Sequence, residues 1–218
     1  RATTFGESHC RGVGVVVDGG PARLPLNEAD IQRQLDRRRP GQSRLTTERA
    51  GAARVSILSG IENGLTLGTP IALLIPNQDQ RPADYAAMQR IPRPSHADYT
   101  YQVKYGIRAS SGGGRSSARE TIGRVAAGAV AEKYLLERFG VEIVAWVSAV
   151  GEVDAVEVDI LSVDRTAIDG SYVRCPHAPS AERMMAEIAK VKAVKDSVGG
   201  VVSCVCRNVP AGLGEPVF

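Results

Sequence analysis

Histidine, cysteine and tryptophan are all scarce in this chain: three, four and one in 218 residues. Nowhere does an apolar run approach the roughly 18 residues that a membrane-spanning helix needs, so a membrane partner is not expected. The cysteines, Cys10, Cys175, Cys204 and Cys206, are too few and too scattered for a disulfide framework in a chain of this length. Cys204 and Cys206 share one face of the strand-like VVSCVC, but a C-x-C pair without a second pair or a nearby histidine is poor zinc spacing. They read as small buried hydrophobes in a reducing compartment, and no metal is expected. The phosphate loop G-x-x-x-x-G-K-[ST] is missing, as is G-x-G-x-x-G after a strand, which removes the two commonest nucleotide cradles. A starting methionine is missing too: the chain opens at Arg1 and is expected to lack its true beginning.

What is present is ordinary in bulk, 43% hydrophobic and 23% charged, and rich in turn formers, with 23 glycines and 12 prolines. The net charge is only +3, yet it is segregated. Residues 33–54 hold seven arginines against Asp36 and Glu48, and residues 86–119 hold Arg90, Arg93, Lys104, Arg108, Arg115 and Arg119 against Asp98 alone. Two such regions point to an anionic partner. Nucleic acid is not that partner: the pI is 8.8, and no zinc-finger or RNP-type aromatic pattern accompanies the RRRPGQSR run.

The pattern predicts a buried strand over Val13–Asp18, a helix capped by Asn27 and running to about Leu35, and a hairpin of Arg54–Leu58 with Pro70–Ile75. Residues 76–114 show little periodicity. Ser117 and Glu120 form a capping-box signature for a helix to Phe139, stopped by Gly140. Its stripe is Ile122, Val125, Ala126, Ala129, Val130 and Leu136, and Gly123, Ala127 and Gly128 allow close packing. A strand over Val141–Val150, a helix from Ser180 to about Val194 and a strand over Val198–Val205 follow. Hairpins mixed with long helices predict an α+β fold.

Three groups of residues carry chemistry. His9 in Gly6-Glu7-Ser8-His9 and His96 in RPSHAD lie beside arginines, where imidazole can supply a proton near a neutralised anion. His177, flanked by proline, reads as structural. Gly112–Gly114 before Arg115-Ser116-Ser117 is a glycine-rich approach to a helix start, suited to a phosphate or a flavin edge. Arg115 and Arg119, one turn apart, are placed to face the same anion.

These blocks are also ordered like those of a known family. Gly6–Cys10 running into VGVVVDGGP, then DRRRPGQS (36–43), NQDQR (77–81), RPSHAD (93–98), GGGRSSARET (112–121), DSVGG (196–200) and VPAGLG (209–214) together resemble the chorismate synthases. The resemblance implies a β-α-β sandwich in one domain, residues 1–218, incomplete at the C-terminus and at the N-terminus. It implies a lyase that eliminates phosphate and a ring proton from 5-enolpyruvylshikimate-3-phosphate with reduced FMN, without net redox change. NADPH is the implied reductant in some forms, and the implied assembly is a homotetramer in the cytoplasm, or in a plastid behind a transit segment.

By match of motif, His9 would protonate the departing phosphate and His96 the reduced flavin. Arg38 and Arg44 would contact substrate or nicotinamide nucleotide, Arg115, Ser116 and Ser117 flavin, and Arg93 and Arg119 further anions. Cys10 stands where many members carry glycine. The rival reading is a non-catalytic scaffold that retains the fold.

Overall fold

The structure, a computed structural model, describes residues 1–39, 54–77, 91–94, 96–109 and 112–214. They form two compact units, with the division falling within one long helix. All strand pairings among the described residues are antiparallel, which together with the helices gives the expected α+β class.

The first unit is built on a four-stranded sheet in the order β1 (Ala2–Gly6), β2 (Gly12–Val17), β7 (Ile71–Pro76), β4 (Ser56–Ile57). Period-two alternation puts Val13 and Val15 on one face of β2, and the register sets Ile75 and Leu73 directly beside them. All four are at most 1% exposed. Onto this core fold α1 (Glu28–Arg38), through Ile31 and Leu35, and α3 (Thr121–Phe139), through Ile122, Ala126, Ala129 and Val130. Each fully buried aliphatic side chain adds about 1.5–3 kcal/mol.

Helix α1 begins as expected, with the Asn27 side chain accepting from the Ala29 and Asp30 amides while Asn27 N donates to Asp30 Oδ2. It runs one turn longer than predicted, carrying Arg37 and Arg38 in its last turn, where cations complement the helix dipole. Gly123 packs on the sheet, where a β-carbon would stand 2.9 Å from the Gly14 carbonyl oxygen and from Thr4 Cγ2. Gly128 meets nothing, so only one of the two expected packing glycines serves that purpose.

Two expectations need correction in this unit. The link between the predicted hairpin strands is not a turn. It is a second hairpin, β5 (Ile61–Glu62) and β6 (Leu65–Leu67), which joins β3 (Ala22–Pro25) in a separate sheet, while β4 still pairs with β7. The stretch without periodicity contains a helix, α2 (Asp98–Tyr105), closed by Gly106 at φ 72°. Its buried residue is Asp98, an anchor of charge rather than an apolar stripe, so periodicity could not reveal it.

The second unit holds the sheet β10–β8–β9, formed by Gly200–Arg207, Glu142–Val150 and Val153–Asp154. Helix α5 (Ala178–Ala193) buries Ala181 and Met184 against Val150, Val173 and Cys175. Short α4 (Arg165–Asp169) places Ile168 under Trp146 and Val144. His177 is structural, its Nδ1 accepting from Ser180 N as the cap of α5. Of the cysteines in this unit, Cys175 is buried as expected, but Cys204 and Cys206 are exposed. They lie on the face of β10 turned away from Val205, which packs on the Val144 and Trp146 cluster.

Candidate functional site

The turn between β1 and β2 carries His9. Its Nδ1 lies 2.9 Å from Ser8 Oγ, and Gly112 is pressed against the ring. A β-carbon there would stand 2.5 Å from Nδ1. The turn is held from two sides. On one, Arg115 donates to Gly6 O at 2.6 Å, to Thr4 Oγ1 at 2.6 Å and to Thr4 O at 3.3 Å. On the other, Asn77, just past the end of β7, donates from Nδ2 to Glu7 O at 2.8 Å and to Cys10 O at 2.7 Å.

Glu120 explains why Arg115 sits where it does. This buried carboxylate accepts from Thr4 Oγ1 at 2.6 Å, Arg115 Nη2 at 3.1 Å and Arg124 Nε at 3.1 Å. The Thr4 hydrogen bond, followed by those from its cations, holds it below the usual carboxylate range. The expected capping box is therefore not made. Ser117 Oγ does accept, from Arg119 N at 3.2 Å, but it caps a 3-10 turn (Ala118–Glu120), and α3 starts only at Thr121. The glycine stretch likewise enters a 3-10 turn (Gly114–Ser116) rather than an α-helix.

Arg115 and Arg119 do not face a common partner. Arg119 donates from Nε to Asn77 Oδ1 at 2.9 Å and reaches Pro76 O at 3.4 Å. Its neighbour is Arg38, which leaves the end of α1 to donate to Ala118 O at 2.8 Å and Thr121 Oγ1 at 3.3 Å. Burial lowers the pKa of both guanidiniums, and the charge of Arg38 adds to the effect on Arg119. Among the described residues neither has a carboxylate partner. Two half-buried cations side by side, stabilised only by neutral oxygens, make an anion site.

His96 precedes α2 and is exposed, its Nδ1 3.0 Å from Pro94 O. A carbonyl can only accept, so Nδ1 carries the hydrogen and Nε2 holds a proton only in the imidazolium form. The segment is anchored by Asp98. Arg93 grips that carboxylate from Nε at 3.0 Å and Nη2 at 3.2 Å, and Arg108 joins at 3.1 Å. The Arg93 hydrogen bond, opposed by burial and aided by both charges, lowers Asp98 to about 2.

A cleft of about 360 Å³ adjoins these elements, lined among others by Glu7, Tyr101, Tyr105, Gly113, Arg115 and Ser116. It falls within the range of small-molecule sites. Arg44 lies outside the described residues. The sequence did not single out Thr4, gave no individual role to Asn77 or Arg108, and read Glu120 as part of a helix cap. The one available signal for the Asp98 ion pairs was that this residue is the lone acid of its basic region, and it was read only as part of the charge count. Among the described residues no cluster of three or more His, Cys, Asp or Glu could hold a metal, and no helix is long and apolar enough to cross a membrane.

A family model described as chorismate synthase matches residues 1–218. The chorismate synthase of Thermosynechococcus vestitus is 60% identical over 218 residues, covering 100% of this chain and 60% of that protein. The one from Schizosaccharomyces pombe is 54% identical over 243 residues, covering 100% of this chain and 62% of the relative. A solved structure described as the crystal structure of chorismate synthase superposes with a TM-score of 0.73 at 34% identity, over 99% of this chain and 60% of that one. The chain thus spans about 60% of the length of the relatives it matches.

Proposed function

Because the chain belongs to the chorismate synthase family, we propose that the whole protein converts 5-enolpyruvylshikimate-3-phosphate to chorismate and inorganic phosphate, and that residues 1–218 supply its anion site and proton donors. The observation that carries this reading is the Arg38 and Arg119 pair, half-buried cations without a carboxylate partner among the described residues, tied through Asn77 to the turn that bears His9. The scaffold reading finds no support in the comparisons.

In the elimination one C–O bond and one ring C–H bond break, and the substrate undergoes no net oxidation. Arg38 and Arg119 would neutralise charge on the anionic substrate, each charge-assisted contact giving about 1.5–3 kcal/mol. His9, whose Nδ1 lies 2.9 Å from Ser8 Oγ, would give its proton to the departing phosphate oxygen. His96, with Nδ1 committed to Pro94, gives a proton only from the imidazolium. Arg93 acts on the ligand indirectly, since its guanidinium orients the His96 segment through Asp98.

The cleft would take part of reduced FMN, since it presents Tyr101, Tyr105 and Gly113 beside Arg115 and Ser116. Ser116 and Ser117 remain the candidates to meet the flavin, while Arg115 supports that block from the side of Thr4 and Gly6. When bound, the reduced flavin supplies electron density that helps phosphate leave. Arg44 is proposed as a further anion contact from its motif, and the assembly as a homotetramer.

The test is anaerobic turnover of 5-enolpyruvylshikimate-3-phosphate by the full-length protein with chemically reduced FMN, following chorismate and phosphate together. Equimolar release supports the proposal. Binding of both ligands without elimination overturns it.

A further inference from the structure

Asn77 holds three groups with one carboxamide. Its Nδ2 donates both hydrogens, to Glu7 O at 2.8 Å and Cys10 O at 2.7 Å, carbonyls that bracket His9 in the chain. Its Oδ1 accepts from Arg119 Nε at 2.9 Å. Two acceptors on one side and a guanidinium on the other fix which end is oxygen and which is nitrogen. The backbone is fixed as well, since Asn77 N donates to Arg11 O at 3.0 Å and extends the β2–β7 ladder by one residue. No other residue type suits this position: Asp lacks the two donors, Ser is too short, and Gln would move the group by a methylene.

We propose that Asn77 is a positioning residue that sets the His9 turn against the Arg38 and Arg119 anion site, so that the proton donor and the charge of the leaving phosphate meet in register. This rests on the elimination proposed above. The amide is a rigid spacer between the two functions. Arg119 Nε is held toward Asn77, which directs its remaining N–H groups, while the turn is pinned at Glu7 and Cys10, on either side of the imidazole. A displacement of about 1 Å at a reacting group can cost around 10²-fold in rate.

The experiment is a double-mutant cycle in the full-length protein, with reduced FMN and 5-enolpyruvylshikimate-3-phosphate under anaerobic conditions. Asn77→Ala should lower kcat about 10- to 100-fold. Added to His9→Asn, it should cost no more than about another twofold, because a displaced donor cannot be lost twice. Asn77→Asp, nearly isosteric, should lose kcat similarly and also raise KM, since a carboxylate at Arg119 competes with the substrate anion. Melting curves verify that both variants fold, and Asn77→Asp carries the test if Asn77→Ala does not.

Losses that multiply in the double variant would show a merely structural role and overturn the assignment, as would an Asn77→Asp protein with wild-type kcat and KM. A wild-type protein that releases no phosphate overturns the elimination itself, an outcome separate from either of these.

Discussion

Gly112 and His9 are in such close contact that a single methyl group would separate them: a β-carbon on Gly112 would lie 2.5 Å from Nδ1 and 2.7 Å from Cε1. The backbone there also has φ +91°, where side chains are strained. Gly112→Ala should therefore lower kcat by about 10²-fold by tilting the imidazole, with a stability loss of about 1–3 kcal/mol from the strained backbone. Turnover and urea unfolding on the same preparation test this. A fully active Gly112→Ala would mean that the orientation of His9 is not set by this contact.

Arg38 and Arg115 look alike in sequence, each an arginine in a family block, yet they should fail differently. Among the described residues the half-buried Arg38 donates to two neutral oxygens, Ala118 O and Thr121 Oγ1, so Arg38→Ala should raise KM by at least tenfold with little change in stability. Arg115 shares Glu120 with Thr4 and pins Gly6. Arg115→Ala leaves that buried carboxylate short of a cation and should cost about 2–3 kcal/mol. Thermal melts paired with KM measurements separate the two, and equal destabilisation by both variants would contradict the distinction.

Those two arginines also show where sequence reasoning stops. The valines of β2, the stripe of α3 from Ile122 to Val130 and the Asn27 cap were legible because local periodicity and caps are written in neighbouring residues, whereas Leu136, expected in the same stripe, is 50% exposed. Glu120 was misread because its partner Thr4 lies 116 positions earlier, and a capping-box signature cannot reveal that competitor. Helix α2 was missed because a buried ion pair, not an apolar stripe, anchors it. Charge counting found the basic region of residues 86–119 but could not show that Arg93, Arg108 and Arg115 are already paired within the chain.

The Asp98 anchor should make acid stability measurable. Its carboxyl is lowered from 3.8 to about 2, first by the Arg93 hydrogen bond. A group depressed on folding contributes stability above its unfolded pKa and loses it as pH falls through the folded value. Between about pH 4 and pH 2 the wild type should lose on the order of 1–2 kcal/mol through this group, after allowance for solvent screening. Asp98→Asn should lack that part of the slope and be less stable at neutral pH, because Arg93 and Arg108 lose their anion. Unfolding free energies from pH 7 to 2 decide it, and identical slopes would remove Asp98 from the account.

His96 offers the sharpest separation of chemistry from bracing. Its Nδ1–H donates to Pro94 O at 3.0 Å, and an asparagine side chain places an N–H at nearly the same point. His96→Asn therefore keeps the loop contact and removes the proton. If the imidazolium is a general acid, His96→Asn and His96→Ala should both lose about 10²–10⁴-fold in kcat while still binding ligand. A bracing role predicts the opposite order, with His96→Asn close to wild type and His96→Ala impaired. Anaerobic turnover with chemically reduced FMN, on protein shown to bind FMN, distinguishes the two. A His96→Asn protein at wild-type rate would end the proton-donor assignment.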